Sequence, residues 1–170
     1  HSGDPGLYGA IGEQIRCLRA LGIAFEIIPG VTATAACAAL LEAELTLPDI
    51  SQTVILTRYA EKTVMPAGEE LASLARHQAT MAIHLGVKNL ASIVDELTPH
   101  YGSDCPIAVI HRASWPDQDA ATGTLADIVE KVQAKGFRRT ALILVGRVLA
   151  NDSFSESSLY RAGHAHLYRP

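Results

Sequence analysis

The chain has 170 residues, 48% of them hydrophobic, and a formal net charge of −4. That is enough for one domain with a core of its own, or one domain plus part of another. The acidic balance excludes a nucleic-acid binder that works by bulk charge, and no apolar run reaches the length of a membrane span.

The chain opens on His1-Ser2-Gly3-Asp4-Pro5-Gly6-Leu7-Tyr8-Gly9. Its glycines and proline rule out a helix or strand interior and make a tight turn whose amides can approach a ligand. Ile11, Ile15, Leu18 and Leu21 then share one helical face. Ile23 to Ile28 reads as a short strand stopped by Pro29-Gly30. The alanine-rich run 31–41 reads as a helix capped by Thr32, its small residues allowing close packing. Residues 46–52 lose periodicity and read as a linker.

The second half alternates strands and helices. Strands are expected at 53–58, 80–85, 106–111 and 140–148. Helices are expected around Leu71, Leu74 and Ala75, and around Leu90, Ile93, Val94 and Leu97. Another carries Leu125, Ile128, Val129 and Val132, starting at Thr124 with Asp127 as capping partner and stopping at Gly136. Residues 113–122 read as a polar excursion around Trp115-Pro116, and 164–168 as a weak edge strand. The class is α/β.

Conventional catalytic groups are scarce. Cys17, Cys37 and Cys105 are odd in number and form no CxxC pair, which suggests neither a disulfide framework nor a zinc site and fits a reducing cytoplasm. The histidines do not cluster at ligand spacing, so no metal is expected. His84 lies in an apolar strand and reads as a satisfied core residue. No nucleophile elbow and no acid–base carboxylate pair is visible, and a dinucleotide fold lacks its G-x-G-x-x-G loop. What stands out is a set of small-residue loops at strand ends: 2–5, 29–33, 85–86, 112–114 and 122–125. Ligands in open α/β sheets sit beyond the carboxyl ends of strands, where such loops act by positioning.

The segments SGDPGLYG, IIPGVTATAA and TGTL resemble three signatures of the S-adenosylmethionine-dependent tetrapyrrole methylases of cobalamin biosynthesis. Residues 57–66, 109–118 and 158–169 resemble the branch of that family that methylates precorrin-4 at C11; RASWPDQ is the most specific of these matches. The resemblance spans the chain and implies two α/β lobes with S-adenosylmethionine in the cleft between them. It implies cofactor contacts at Ser2, Gly3, Asp4, Leu7, Tyr8, Thr32, Ala33, Leu85, Ala113, Thr124 and Leu125. Arg58, Lys62 and Arg112 are the candidate cations for the carboxylates of the tetrapyrrole. The product cofactor would be S-adenosylhomocysteine, the assembly a homodimer, and the compartment the cytoplasm.

Members of the family begin with a further glycine- and proline-rich loop on a first strand, which has no counterpart here. The expected organisation is therefore a remnant of the N-terminal lobe at 1–46, a linker at 47–52 and a complete C-terminal α/β lobe at 53–170. Roughly 80 residues of the first lobe would be absent, and the fragment would be inactive if they carry the substrate face. The alternatives are the cobalt-containing form of the same substrate, another precorrin or uroporphyrinogen carbon, and a non-catalytic assembly module.

Overall fold

Apolar side chains point to both faces of the central strands, so the sheet they form must be covered on both sides. The computed structural model describes residues 1–60 and 63–150. Its strands are β1 (Val54–Arg58), β2 (Thr80–His84), β3 (Pro106–His111), β4 (Asp119–Thr124) and β5 (Ala141–Val145), in the sheet order β1-β2-β5-β3-β4. β1 and β2 are parallel, β5 is antiparallel to β2 and β3, and β4 is antiparallel to β3. β1, β2 and β3 therefore end on one rim, at Arg58, His84 and His111.

On one face Met81, Ile83, Ile107, Val109, Ile143 and Val145 pack with helices α3 (Leu71–Ala75), α4 (Leu90–Tyr101) and α5 (Ile128–Lys135). α4 buries Leu90, Ile93, Val94, Leu97 and Tyr101, a stripe at helical spacing. On the other face Ala82, Ala108, Ile110, Leu142 and Leu144 receive Cys37 of α2 (Ala33–Leu40). The alanines on both sides let the α2 backbone lie close to the sheet. Ile143 is fully buried between β2 and β3, and truncating it to alanine costs about 2–5 kcal/mol.

The first helix, α1 (Ile11–Ala20), buries no residue. Its apolar stripe of Ile11, Ile15 and Leu18 joins Phe25, Ile27 and Ile28 around an open groove of about 320 Å³.

The structure corrects several sequence expectations. Ile23 to Ile28 forms no ladder: no strand among the described residues pairs with it to take its backbone hydrogen bonds. The supposed polar excursion contains β4, which pairs along its whole length with β3 and buries Ala121. Its short, weakly β-forming side chains concealed it; the ladder to β3 decides the conformation. The following helix starts at Ile128 rather than Thr124, since Thr124 is still in the ladder and 125–127 form a turn.

The 47–52 segment, read as a linker, is docked against the start of β2. Leu47 is buried and bridges Ser51, the Thr80 N–H donates to Ser51 Oγ at 3.1 Å, and Thr80 Oγ1 donates to the Leu45 carbonyl at 2.9 Å. Residues 164–168, read as an edge strand, lie outside the described residues.

Candidate functional site

The opening loop is built around one carboxylate. Asp4 Oδ1 accepts the Gly6 N–H at 2.8 Å and Oδ2 accepts the Gly30 N–H at 2.9 Å. The loop is thereby tied to the Pro29–Ala33 turn. The approach is so close that a Cβ on Gly30 would lie 2.1 Å from the Gly3 carbonyl oxygen. Thr32 Oγ1 accepts the Ala35 N–H at 3.1 Å and caps α2. A cradle of backbone groups, packed too closely to admit a Cβ, thus lies at the head of α2.

This cradle meets the sheet rim at the end of β2. The Tyr8 ring lies 4.7 Å from the His84 ring, centroid to centroid, and Thr34 Oγ1 lies 3.2 Å from His84 Nε2. Burial holds the His84 imidazole below the ordinary histidine value, so it is neutral at neutral pH. Burial raises Tyr8, against the opposing pull of the Arg58 cation, so its phenol also stays neutral. Tyr8 (φ 56°), Leu85 (φ 58°) and Arg112 (φ 50°) all adopt left-handed backbone at this rim. Such strain costs about 1–3 kcal/mol per residue.

Of the residues expected to touch a cofactor, the fold groups Gly3, Asp4, Leu7 and Tyr8 of the opening loop with Thr32 and Ala33 of the α2 turn. Ser2 lies exposed beside Gly3, and Leu85 projects from the rim, 71% exposed. Ala113 stands on the same face, packed against the cluster that contains Cys37. Thr124 and Leu125 are not brought there. Thr124 pairs with Pro106 at the opposite end of the sheet, and Leu125 is buried beneath α5 in the core of the other face. The TGTL run instead closes a turn. Asp127 Oδ1 accepts the Thr124 N–H at 2.8 Å, and Lys131 Nζ donates to the Thr122 carbonyl at 3.1 Å.

The candidate cations fare differently. Arg58 is in register with His84 across β1 and β2, and its Nη1 donates to Thr63 Oγ1 at 2.9 Å. Arg112 is committed to an ion pair with Asp117, and its guanidinium lies 5.1 Å from the centroid of the exposed Trp115 ring. Lys62 lies outside the described residues. Sequence reasoning missed His84 and Thr34 as members of the site. The usable signal was that His84 ends its strand, immediately before Leu85-Gly86, instead of lying within it. Among the described residues no three His, Cys, Asp or Glu converge as metal ligands.

This rim offers backbone amides and carbonyls, neutral rings and close loop packing, and the one hydroxyl–imidazole pair described there, Thr34 and His84, joins α2 to the end of β2. It suits a polar nucleoside-like ligand held in place for reaction with a second molecule. Residues 1–129 match the family model of the Tetrapyrrole (Corrin/Porphyrin) Methylases. The chain belongs to this family.

Among its relatives, the precorrin-4 C(11)-methyltransferase of Pseudomonas aeruginosa is 74% identical over 170 residues, covering 100% of this chain and 68% of that protein. The cobalt-precorrin-4 C(11)-methyltransferase of Methanocaldococcus jannaschii is 50% identical over 99% of this chain and 66% of that protein. The X-ray structure of a cobalamin biosynthetic enzyme, cobalt precorrin-4 methyltransferase, matches with TM-score 0.86 and 41% identity, over 89% of this chain and 64% of that one. The uroporphyrin-III C-methyltransferase of Thermus thermophilus, crystallised with S-adenosylhomocysteine, matches at TM-score 0.68 and 27% identity, over 86% of this chain and 64% of that one. The chain therefore spans about two thirds of the length of these methylases.

Proposed function

We propose that this chain belongs to a methyltransferase acting at C11 of precorrin-4 and giving precorrin-5, and that it holds S-adenosylmethionine at the rim described above. The observation that carries this reading is the Asp4-bridged loop pair at the sheet rim, in a chain 74% identical to a precorrin-4 C(11)-methyltransferase. Bound there, the cofactor supplies a methyl group already activated on a sulfonium.

The chain's own residues bind and orient. Gly3 and Gly30 bring backbone close to the ligand without side-chain bulk, and the Asp4 carboxylate holds their two loops together. Thr32 and Ala33 present the first amides of α2. Leu7, Tyr8 and Leu85 supply exposed apolar surface that excludes water from the ligand, and Ser2 and Ala113 border it. Tyr8 and His84 are uncharged, so neither ring repels a cationic donor. Alignment and water exclusion are the main demands of such a transfer. Arg58 stands at the rim for a substrate carboxylate. Arg112 holds Trp115 and Asp117 in place, and Lys62 is proposed with them from its position in the 57–66 segment.

The domain boundaries proposed are 1–46, 47–52 and 53–170. A homodimer and a cytoplasmic compartment complete the reading. The resemblance supports the first, and three free cysteines fit the second. A second reading, the cobalt-containing form of the substrate, is favoured by the fold match at TM-score 0.86 to a cobalt precorrin-4 methyltransferase.

Calorimetric titration with S-adenosylhomocysteine tests the cofactor site; saturable one-to-one binding is expected. Silence from this chain, and from the chain extended upstream to the length of its relatives, overturns the reading. Turnover of precorrin-4 against its cobalt form by the extended protein separates the two substrates.

A further inference from the structure

We propose that His84 is a positioning residue for the cofactor loops, clasping Tyr8 and Thr34 to the end of β2 and thereby setting the Leu85 backbone. The proposal rests on the cofactor reading above and adds a residue to that site.

Three parts of the chain that are distant in sequence meet at this one residue, two at its imidazole and one at its backbone. The Tyr8 ring packs against it from the opening loop at 4.7 Å, with an interplanar angle of 44°. Thr34 Oγ1 shares a hydrogen bond with its Nε2 at 3.2 Å from the first turn of α2. The His84 carbonyl accepts the Tyr59 N–H at 3.0 Å, extending the β1–β2 ladder past Arg58. His84 is thus held through its ring by both loops and through its backbone by the sheet.

The next residue is where that restraint acts. Leu85 turns left-handed at φ 58° and stands exposed on the rim. Gly86 behind it is seated so closely that a Cβ would lie 2.6 Å from Ile93 Cδ1. Leu85 is therefore fixed on one side by the His84 clasp and on the other by the core. If the clasp opens, the Leu85 backbone and Tyr8 lose their common reference while the sheet keeps its ladder. A neutral imidazole suits this work, because either partner of the Thr34 bond can donate while the ring keeps its tilted contact with Tyr8.

The test is a double-mutant cycle read by titration with S-adenosylhomocysteine. His84→Phe keeps an aromatic ring against Tyr8 but lacks the nitrogen; Thr34→Val removes the hydroxyl. Each is expected to weaken binding about five- to tenfold, with a fall of a few degrees in melting temperature. The double variant is expected to be no weaker than either single, because both remove the same bond. Thr34→Ser restores the hydroxyl and is expected to recover the affinity.

A second readout needs no ligand. The Nε2 resonance of His84 is expected to move in Thr34→Val and return in Thr34→Ser. No movement overturns the clasp. Wild-type binding that the single variants leave unchanged, or losses that simply add in the double variant, also overturn it while leaving the cofactor reading intact. No binding by the wild-type chain or its extended form overturns the cofactor reading and this proposal together.

Discussion

Asp4 and Gly30 stand 26 residues apart in sequence and are joined by a 2.9 Å hydrogen bond from the Gly30 N–H to Asp4 Oδ2. The other oxygen of the same carboxylate orders the opening turn through Gly6. One side chain therefore shapes its own loop and fastens that loop to the turn before α2.

Gly30→Ala is the sharpest probe of that junction. The new Cβ would meet the Gly3 carbonyl oxygen at 2.1 Å, a backbone atom that cannot swing aside. The two loops must separate. Affinity for S-adenosylhomocysteine is expected to fall about tenfold or more. The main sheet contains neither loop, so its melting transition is expected to persist. Calorimetric titration and a thermal melt on the same sample check both outcomes.

Asp127→Ala tests the placement of TGTL away from the cofactor rim. Asp127 Oδ1 accepts the Thr124 N–H, its Oδ2 pairs with Lys131 Nζ at 2.6 Å, and a Cβ on Gly123 would lie 2.2 Å from Oδ1. The substitution removes this latch between β4 and α5. A fall of a few degrees in melting temperature is expected, with cofactor affinity unchanged. A loss of affinity without a loss of stability would return Thr124 and Leu125 to the site.

Thiol labelling should find one reactive cysteine. Burial pushes Cys37 up to about 12 and Cys105 up to about 11, so neither forms thiolate near neutral pH. Cys17 is exposed on α1. Mass spectrometry after brief treatment with a maleimide is expected to show a single adduct, at Cys17. A second adduct at Cys37 on the native protein would mean that α2 lifts from the sheet.

Acid should weaken the fold through its paired carboxylates. Hydrogen bonds from Arg147, Lys135 and Lys131 hold Asp104, Asp119 and Asp127 below the ordinary carboxyl value of 3.8. Their stabilisation is complete above that value and is lost as pH falls through the lowered folded values. Melting temperature is expected to decline below about pH 3.8, and Asp119→Asn is expected to show a shallower decline from a lower start. Circular dichroism melts across the acid range decide this.

Much of the architecture was legible locally. The stripe Leu90, Ile93, Val94, Leu97 could be read as α4 because helical spacing and burial on one face are the same fact seen twice. The loops 2–5, 29–33 and 85–86 were legible as close-approach turns because glycine and proline declare such backbone without help from distant residues. β4 was not legible: Asp119–Thr124 has little β-propensity, and only the β3 ladder makes it a strand.

The sequence by itself determined the family, the α/β alternation and the chemistry of the opening loop, since each is written in short contiguous runs. Tertiary structure alone decided three things. It tied Asp4 to Gly30, set His84 against Tyr8 and Thr34, and sent Thr124 to the far end of the sheet. The physical reason is sheet order. β5 inserts antiparallel between β2 and β3, and β4 returns antiparallel beside β3, so loops that look equivalent along the chain emerge from opposite rims.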